Sequence, residues 1–355
     1  MVVAIGHAVY LSGKLYFFLK DKGMNVLVVG GAGYIGCFIN RLLLEQGYNT
    51  MVIDNLSTGH RTSLSNKTEF IEGDIADYSL LKETLQSYKV DVVMHFAAFA
   101  LVGESVKNPG AYYENNVVNS LNLLMAMKET EVKYFIFSST AAVYGEPQDI
   151  LITETHPVKP INPYGSSKTL VEQILTGLSI ADHLKYVSLR YFNAAGAHPD
   201  GSMGEDHENE THLIPLTLKA VLNEKAGGEP LKIFGTDYDT RDGTCIRDYI
   251  HVLDLAEAHI LAMKHLLDGG ESDIFNLGNG NGHSVLEVIE TAEKITGKKV
   301  PVVNEKRRSG DPAVLVASSE KISKKLGWKL QYAGLETIIE TAWKWHSNHP
   351  GGYKG

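Results

Sequence analysis

Within the stretch NPYGSSKT, residues 162–169, a tyrosine stands four positions ahead of a lysine. If Pro163 opens a helix, Tyr164 and Lys168 share a face, one turn apart. Both side chains ordinarily keep their protons to about pH 10. A base that removes a hydroxyl proton works well only when its pKa lies near the working pH. Tyrosine approaches that range where nearby positive charge favours the phenolate. Lys168 supplies one charge, and an oxidised nicotinamide would supply another. Thr140, closing the run YFIFSST, offers a hydroxyl that can donate to a substrate oxygen or relay its proton. Together the three could deprotonate a carbinol while hydride leaves its carbon. The Tyr/Lys spacing alone is equally that of an ordinary amphipathic helix surface, so the rest of the chain has to decide.

Hydride chemistry needs an acceptor, and the first half of the chain reads as a nucleotide site. The run NVLVVG (25–30) leads straight into GGAGYIG, Gly30 to Gly36. Glycines after a strand let the chain turn tightly and set backbone N–H groups against a pyrophosphate at a helix N-terminus. The spacing reads as Gly31-x-Gly33-x-x-Gly36 or as Gly30-x-x-Gly33-x-x-Gly36. Asp54 closes the next strand, TMVID. A carboxylate there accepts from the ribose hydroxyls and repels a 2′-phosphate, which predicts NAD rather than NADP, with Arg61 near enough to soften the choice. The other reading of these residues is a tight turn and a loop cap. Asp74 ends a third strand, and Phe96-Ala97-Ala98 follow a fourth, all on the carboxyl edge where a cofactor should lie. His95 there suits a packed strand end better than a catalyst.

The elements that must hold these groups alternate. Candidate strands at 25–30, 50–54, 69–74, 91–97, 134–139 and 185–191 are nearly all apolar, as strands covered on both faces are. Helical patterns near 34–46, 77–88, 112–129 and 165–180 separate them. Such alternation predicts an α/β fold, a Rossmann-type doubly wound parallel sheet. After the polar loop 199–212 come shorter elements: a helix near 213–224, LKIFG (231–235), a helix 253–267, DIFNLG (273–278), a helix 284–296 and VPVV (300–303). They predict a smaller C-terminal α/β substrate lobe. The expected division is an NAD-binding domain over 24–198 and a lobe mainly over 199–355, some of whose segments return to the first domain. Residues 1–23 are expected to be an appendage outside the fold, since Met24 directly precedes the first strand. They are too interrupted for a membrane span.

At 355 residues and 44% hydrophobic the chain can build a sizeable core. A net charge of −9 argues against broad binding to nucleic acid. Cys37 and Cys245 make neither a disulfide framework nor a metal-ligand spacing, and they suit a reducing cytoplasm.

Gly30-x-x-Gly33-x-x-Gly36, a strand ending Ser138-Ser139-Thr140, and Tyr164-x-x-x-Lys168 resemble the extended short-chain dehydrogenase/reductases. The segments RYFNAAGAHPDG (190–201), IFGTDYDTRDGTCIRDYIHVLDLA (233–256) and RRSGDP (307–312) carry the resemblance over the whole chain from Met24, to the UDP-hexose 4-epimerase branch. The resemblance implies hydride transfer from sugar C4 to tightly held NAD, a 4-keto sugar that turns over, and return of hydride to its other face. UDP-galactose and UDP-glucose would interconvert with no net oxidation. Thr140, Tyr164 and Lys168 would be catalytic. Tyr34, Ile35, Asn55, Ile75, Asn116, Ser138 and Tyr191 would join the cofactor contacts, with Tyr164 and Lys168 also in reach of it. On the UDP-sugar side the match implies Asn193, His212 and Leu213, with Arg247 and Arg308 for the phosphates. Phe234 and Tyr249 would lie on the uracil or ribose, and Asp311 on a ribose hydroxyl. A homodimer through the helices near 112–129 and 165–180 is implied as well.

Three departures matter. Ala100 stands where some relatives carry Lys near the nicotinamide, His212 where many carry Asn, and Leu315 where some carry Tyr. Leucine leaves room for a 2-N-acetyl group, so turnover of UDP-N-acetylglucosamine is expected too. Sugar-nucleotide dehydratases and decarboxylases place acidic residues directly after the Thr; here Ala141 and Ala142 follow. Net dehydrogenation would use the same three residues. An NAD-sensing module would not need to keep them together.

Overall fold

Val26 to Val29 are fully buried, and the strand they belong to sits inside a seven-stranded sheet. The structure, a computed structural model, describes residues 4–5, 8–11, 14–17, 23–182, 184–223, 227–308 and 312–354. The sheet comprises β1 (Asn25–Val29), β2 (Asn49–Asp54), β3 (Glu69–Glu72), β4 (Val92–His95), β5 (Tyr134–Thr140), β6 (Lys185–Tyr191) and β7 (Asp273–Leu277). Every pairing in it is parallel, in the order β7-β6-β5-β4-β1-β2-β3. Parallel neighbours need crossovers. Helices α1 (Tyr34–Glu45), α2 (Tyr78–Ser87), α3 (Asn119–Glu129), α4 (Pro163–Asp182) and α5 (Val252–Leu267) cover the two faces. Alternate residues of β1 feed two separate cores. Val26 and Val28 pack with Phe38 and Leu255 on one side, Leu27 and Val29 with Leu81 and Leu124 on the other. Strand order reverses between β1 and β4, so the loops leaving their carboxyl ends part and open a crevice.

Two elements that follow residue 199 belong to this sheet. β7 pairs with β6 along five residues, and α5 packs on the α1 side of the sheet. Ten of the residues of α5 are buried, so its sequence is apolar nearly all round. That pattern marks a core helix without saying which core. The lobe itself holds helices Leu213–Asn223, Val285–Thr296 and Leu335–Asn348, and a parallel pair, Leu231–Phe234 with Val302–Glu305. Ile214, Leu218, Ile233, Val288 and Ile338 form its core. Ahead of the domain, Ala4–Ile5, Ala8–Leu11 and Lys14–Phe17 pair antiparallel with one another. The helix expected over 112–129 is continuous in direction but widens to a π turn at Glu114–Val118.

α4, β5 and β6 are tied by buried polar groups. Arg190 on β6 donates from Nε to Glu172 Oε1 on α4 at 2.9 Å, and from a terminal nitrogen to Oε2 at 2.5 Å. Its other terminal nitrogen donates to the Tyr144 hydroxyl at 2.9 Å. Ser139 on β5 donates to Glu172 Oε1 at 2.7 Å. Both charged side chains are 5% exposed. Removing one partner strands the other charge in the interior. Arg190→Met should therefore lower the unfolding free energy by roughly 3–5 kcal/mol, read from the shift of the chemical-denaturation midpoint; an unchanged midpoint would show that Glu172 finds another partner.

Candidate active site

The glycine turn between β1 and α1 is fixed by contacts within the protein at three of its four glycines. Gly30 has φ +76°, and a Cβ on it would stand 2.4 Å from the Ala97 nitrogen. One on Gly31 would stand 2.7 Å from Val52 Cγ2, and one on Gly36 2.3 Å from the Gly30 oxygen. Gly33 differs: a Cβ there meets only the Gly30 oxygen at 3.4 Å, an ordinary contact. The space it keeps open belongs to the crevice. Gly33 also caps α1 with extended backbone and no side-chain bond, so the first N–H groups of that helix face outward. This is the arrangement that receives a diphosphate.

The crevice is lined by Gly30, Gly33, Asp54, Asn55, Asp74, Ile75, Phe96, Ala97 and Ala98, all expected cofactor positions. Ser57, Thr58, Gly73, Phe99 and Asn115 line it too. These were not legible in the sequence, because they carry no motif of their own. Asp54 accepts from the Ala32 nitrogen at 2.9 Å through Oδ2 and from Leu56 at 2.8 Å through Oδ1. Burial raises its pKa and these backbone donors oppose the rise. Asn55 donates to Asp74 Oδ2 at 2.6 Å and joins the ends of β2 and β3. A dinucleotide thus fits the chain's own donors and acceptors: helix N–H groups at Gly33, a carboxylate at Asp54. The side chains of Tyr34 and Ile35 turn elsewhere, while their backbone N–H groups open α1. The Tyr34 hydroxyl donates to the Gly196 oxygen at 2.6 Å, and Ile35 packs against the core. Asn116, inside the π turn, accepts from Phe99 N at 2.8 Å and donates to Phe99 O and Ser167 Oγ, each at 3.0 Å. It therefore shapes the crevice wall through Phe99.

The carboxyl end of β5 brings the chemistry together. Thr140 is 6% exposed, and its Oγ1 accepts from Ala142 N at 3.1 Å. The Tyr164 hydroxyl bonds to Thr140; burial raises its pKa and this bond lowers it. Lys168 Nζ donates to the Ser138 oxygen at 2.8 Å and lies 4.8 Å from the Phe137 ring centre. Burial pushes Lys168 down to about 7, with the Glu172 carboxylate opposing. Ser138 Oγ in turn shares a short hydrogen bond with the Tyr191 hydroxyl. In the protein by itself a buried ammonium takes the nearest carbonyl and burial holds Tyr164 above its ordinary value; the expectation that Lys168 and an oxidised nicotinamide together favour the phenolate concerns the NAD-bound protein. Helical spacing fixed the shared face, not the rotamer. His95 is a packed histidine, as expected, bonded to Ser120 Oγ at 2.8 Å and pushed down to about 3 by burial.

The substrate candidates divide. Asn193 donates to the Asp248 oxygen at 2.8 Å on the short strand pair that links sheet and lobe. The Arg308 guanidinium sits 3.9 Å over the Phe234 ring. Arg247 pairs in register with Leu315, which packs on Ala141, Val143 and Tyr144, next to Thr140. Leu213 opens its helix, and His212 before it contacts Glu205. Tyr249 is 4% exposed and belongs to the lobe core, so its ring packs against Ile214 and Leu218. Asp311 lies outside the described residues. Sequence reasoning missed Glu172, whose only signal was a second four-residue step, from Lys168, after that from Tyr164 to Lys168.

Residues 26–278 match the NAD dependent epimerase/dehydratase family. The UDP-glucose 4-epimerase of Lactobacillus helveticus is 51% identical over 331 residues, 93% of this chain and 99% of that one. The structure of the Bifidobacterium longum UDP-glucose 4-epimerase in complex with NAD+ and UDP superposes with a TM-score of 0.88 at 39% identity, covering 93% of this chain and 100% of that one. The UDP-Glc/GlcNAc 4-epimerase of Campylobacter jejuni does so with a TM-score of 0.80 at 42% identity, covering 92% and 100%.

Two glycine substitutions separate turn from ligand. Gly36→Ala should lower the melting temperature, because backbone must move. Gly33→Ala should leave it unchanged yet reduce NAD affinity about tenfold or more, a loss of at least about 1.4 kcal/mol, read as NAD released on denaturation. Full NAD retention in Gly33→Ala would remove this site.

Proposed function

The chain belongs to the NAD dependent epimerase/dehydratase family, and within it we propose that the β5 end of the crevice performs the reversible epimerisation of UDP-hexoses at C4, through a 4-keto sugar. One observation carries this reading. Tyr164 is hydrogen-bonded to Thr140 and Lys168 is held by Ser138 at the carboxyl end of β5, in the same parallel sheet whose β1 end carries the glycine-lined crevice. The small Ala141 and Ala142 follow in place of further acids. NAD, when bound, supplies a reversible acceptor for the C4 hydride, so the sugar is oxidised and reduced again with no net change.

The residues act around that exchange. Tyr164 takes the proton of the sugar 4-hydroxyl and returns it to O4 in the second half-reaction, after the keto sugar has turned its other face of C4 to the hydride. Thr140 bonds both Tyr164 and, in this reading, O4, which keeps the transferred proton in one line. Lys168, held by Ser138, places positive charge at the crevice end of β5. Arg247 and Arg308 hold the diphosphate as bidentate cations. The sugar, gripped least, can then turn over.

Leu315 sets the sugar range. It borders Ala141 with an aliphatic side chain where an aromatic ring would fill more space, so UDP-N-acetylhexosamines are included. Val106, Tyr113, Val118, Leu121 and Leu170 are exposed apolar side chains on neighbouring helices, which supports a homodimer through that face. No helix among the described residues is long and apolar enough to cross a membrane. We place the enzyme in the cytoplasm, where a UDP-sugar and NAD are at hand.

Purified protein should interconvert UDP-galactose and UDP-glucose with no added NAD. Tyr164→Phe should lower kcat roughly 10²–10⁴-fold; unchanged turnover would remove the proposed base, and stoichiometric consumption of NAD would remove the epimerase reading. Leu315→Tyr should spare UDP-glucose while depressing UDP-N-acetylglucosamine turnover, measured as the ratio of the two kcat/KM values.

A further inference from the structure

Residues 204–212 read GEDHENETH; the resemblance drew only on His212 in this loop, and the proposed reaction assigns it no step. Four of its side chains turn to a common point. His212 Nδ1 lies 2.5 Å from Glu205 Oε1 and 3.5 Å from Glu210 Oε1. His207 Nδ1 lies 3.2 Å from Glu205 Oε1 and 3.6 Å from Glu210 Oε2. One ligand atom from each residue falls within 4.8 Å of every other. The Glu205 and Glu210 side chains are 3% and 4% exposed. Among the described residues Glu210 Oε2 has no hydrogen-bond partner, and Lys219 Nζ stands 4.0 Å away. A carboxylate oxygen buried in that way is costly unless a cation meets it.

We propose that Glu205, His207, Glu210 and His212 form a divalent transition-metal site, with Zn2+ the best-matched ion. Two imidazole nitrogens and two carboxylate oxygens give four donors of the borderline kind that Zn2+ accepts. Two carboxylates balance a divalent charge, so the cluster stays neutral overall and the buried glutamates are compensated. One histidine is oriented from outside the cluster: the His207 ring meets Tyr34 edge-on at a centroid distance of 6.3 Å, and the two histidine rings meet each other edge-on at 5.6 Å. Glu205 is anchored through its backbone oxygen, which accepts from Trp345 Nε1 at 3.1 Å.

All four donors come from eight consecutive residues with no regular secondary structure of their own until Leu213 opens its helix. Such a site has no position to spare for substrate. It is structural: the ion closes the loop on itself and fixes the start of that helix. Through Tyr34, which also bonds Gly196, it braces the turn after Gly33 against the lobe.

The test titrates Co2+ into chelator-treated protein that retains its NAD. The expected result is one equivalent bound per chain, with the visible absorption of a four-coordinate nitrogen/oxygen site, displaced by Zn2+. Wild-type protein that takes up no stoichiometric Co2+ overturns the proposal. His207→Gln and Glu210→Gln, checked for fold by circular dichroism and NAD content, should each lose the equivalent. An equivalent that persists in either folded variant belongs elsewhere, at a cysteine or a surface histidine, and overturns it as well. If a Gln variant does not fold, His207→Asn serves in its place with the same two outcomes.

Discussion

A buried ammonium governs this site. Lys168 is 3% exposed and satisfied by the Ser138 oxygen. A charge in that position tolerates little movement, because any displacement costs the hydrogen bond without regaining water. It therefore pins the first turns of α4 to the last residues of β5. Tyr164 and Thr140 take their relative positions from that pin. Glu172, one further turn along, repeats the arrangement with Ser139 and Arg190, so three successive turns of α4 are stitched to β5 and β6 along one face. The Tyr164 and Thr140 hydroxyls rest on this polar spine rather than on loop structure, which would suit groups that must hold geometry to a fraction of an ångström.

The second half of the site follows from topology. Sheet order reverses beside β1, and the crevice at that reversal is where the glycine turn faces outward. Three of its glycines serve the protein's own packing. Only Gly33 keeps space for a ligand. The cofactor side is thus rigid by construction, while the lobe approaches from the other edge through short strands and single contacts such as Asn193 to Asp248. A reaction that oxidises and then reduces the same carbon needs this asymmetry: firm hold on the dinucleotide and diphosphate, looser hold on the sugar.

The electrostatics reinforce the division. Lys168 is lowered and Tyr164 raised by the same burial, so each leans toward its neutral form. A neutral tyrosine beside a lysine poised near 7 is a pair whose protons can be redistributed by one added charge.

By itself the sequence determined the parallel sheet, the glycine turn, Asp54 and the Tyr164/Lys168 face. Each is written in local periodicity or in fixed short spacing, and local spacing survives folding. It did not determine that β7 and α5 join the main sheet, since an apolar helix carries no label for its core. It gave no sign that Tyr249 packs inward or that Arg190 meets Glu172, because those contacts join residues far apart in the chain. The side-chain direction of Lys168 was likewise beyond it. Helical spacing places two residues on one face, but which partner a buried charge takes depends on the carbonyls that the neighbouring strand happens to present, and only the tertiary structure sets those.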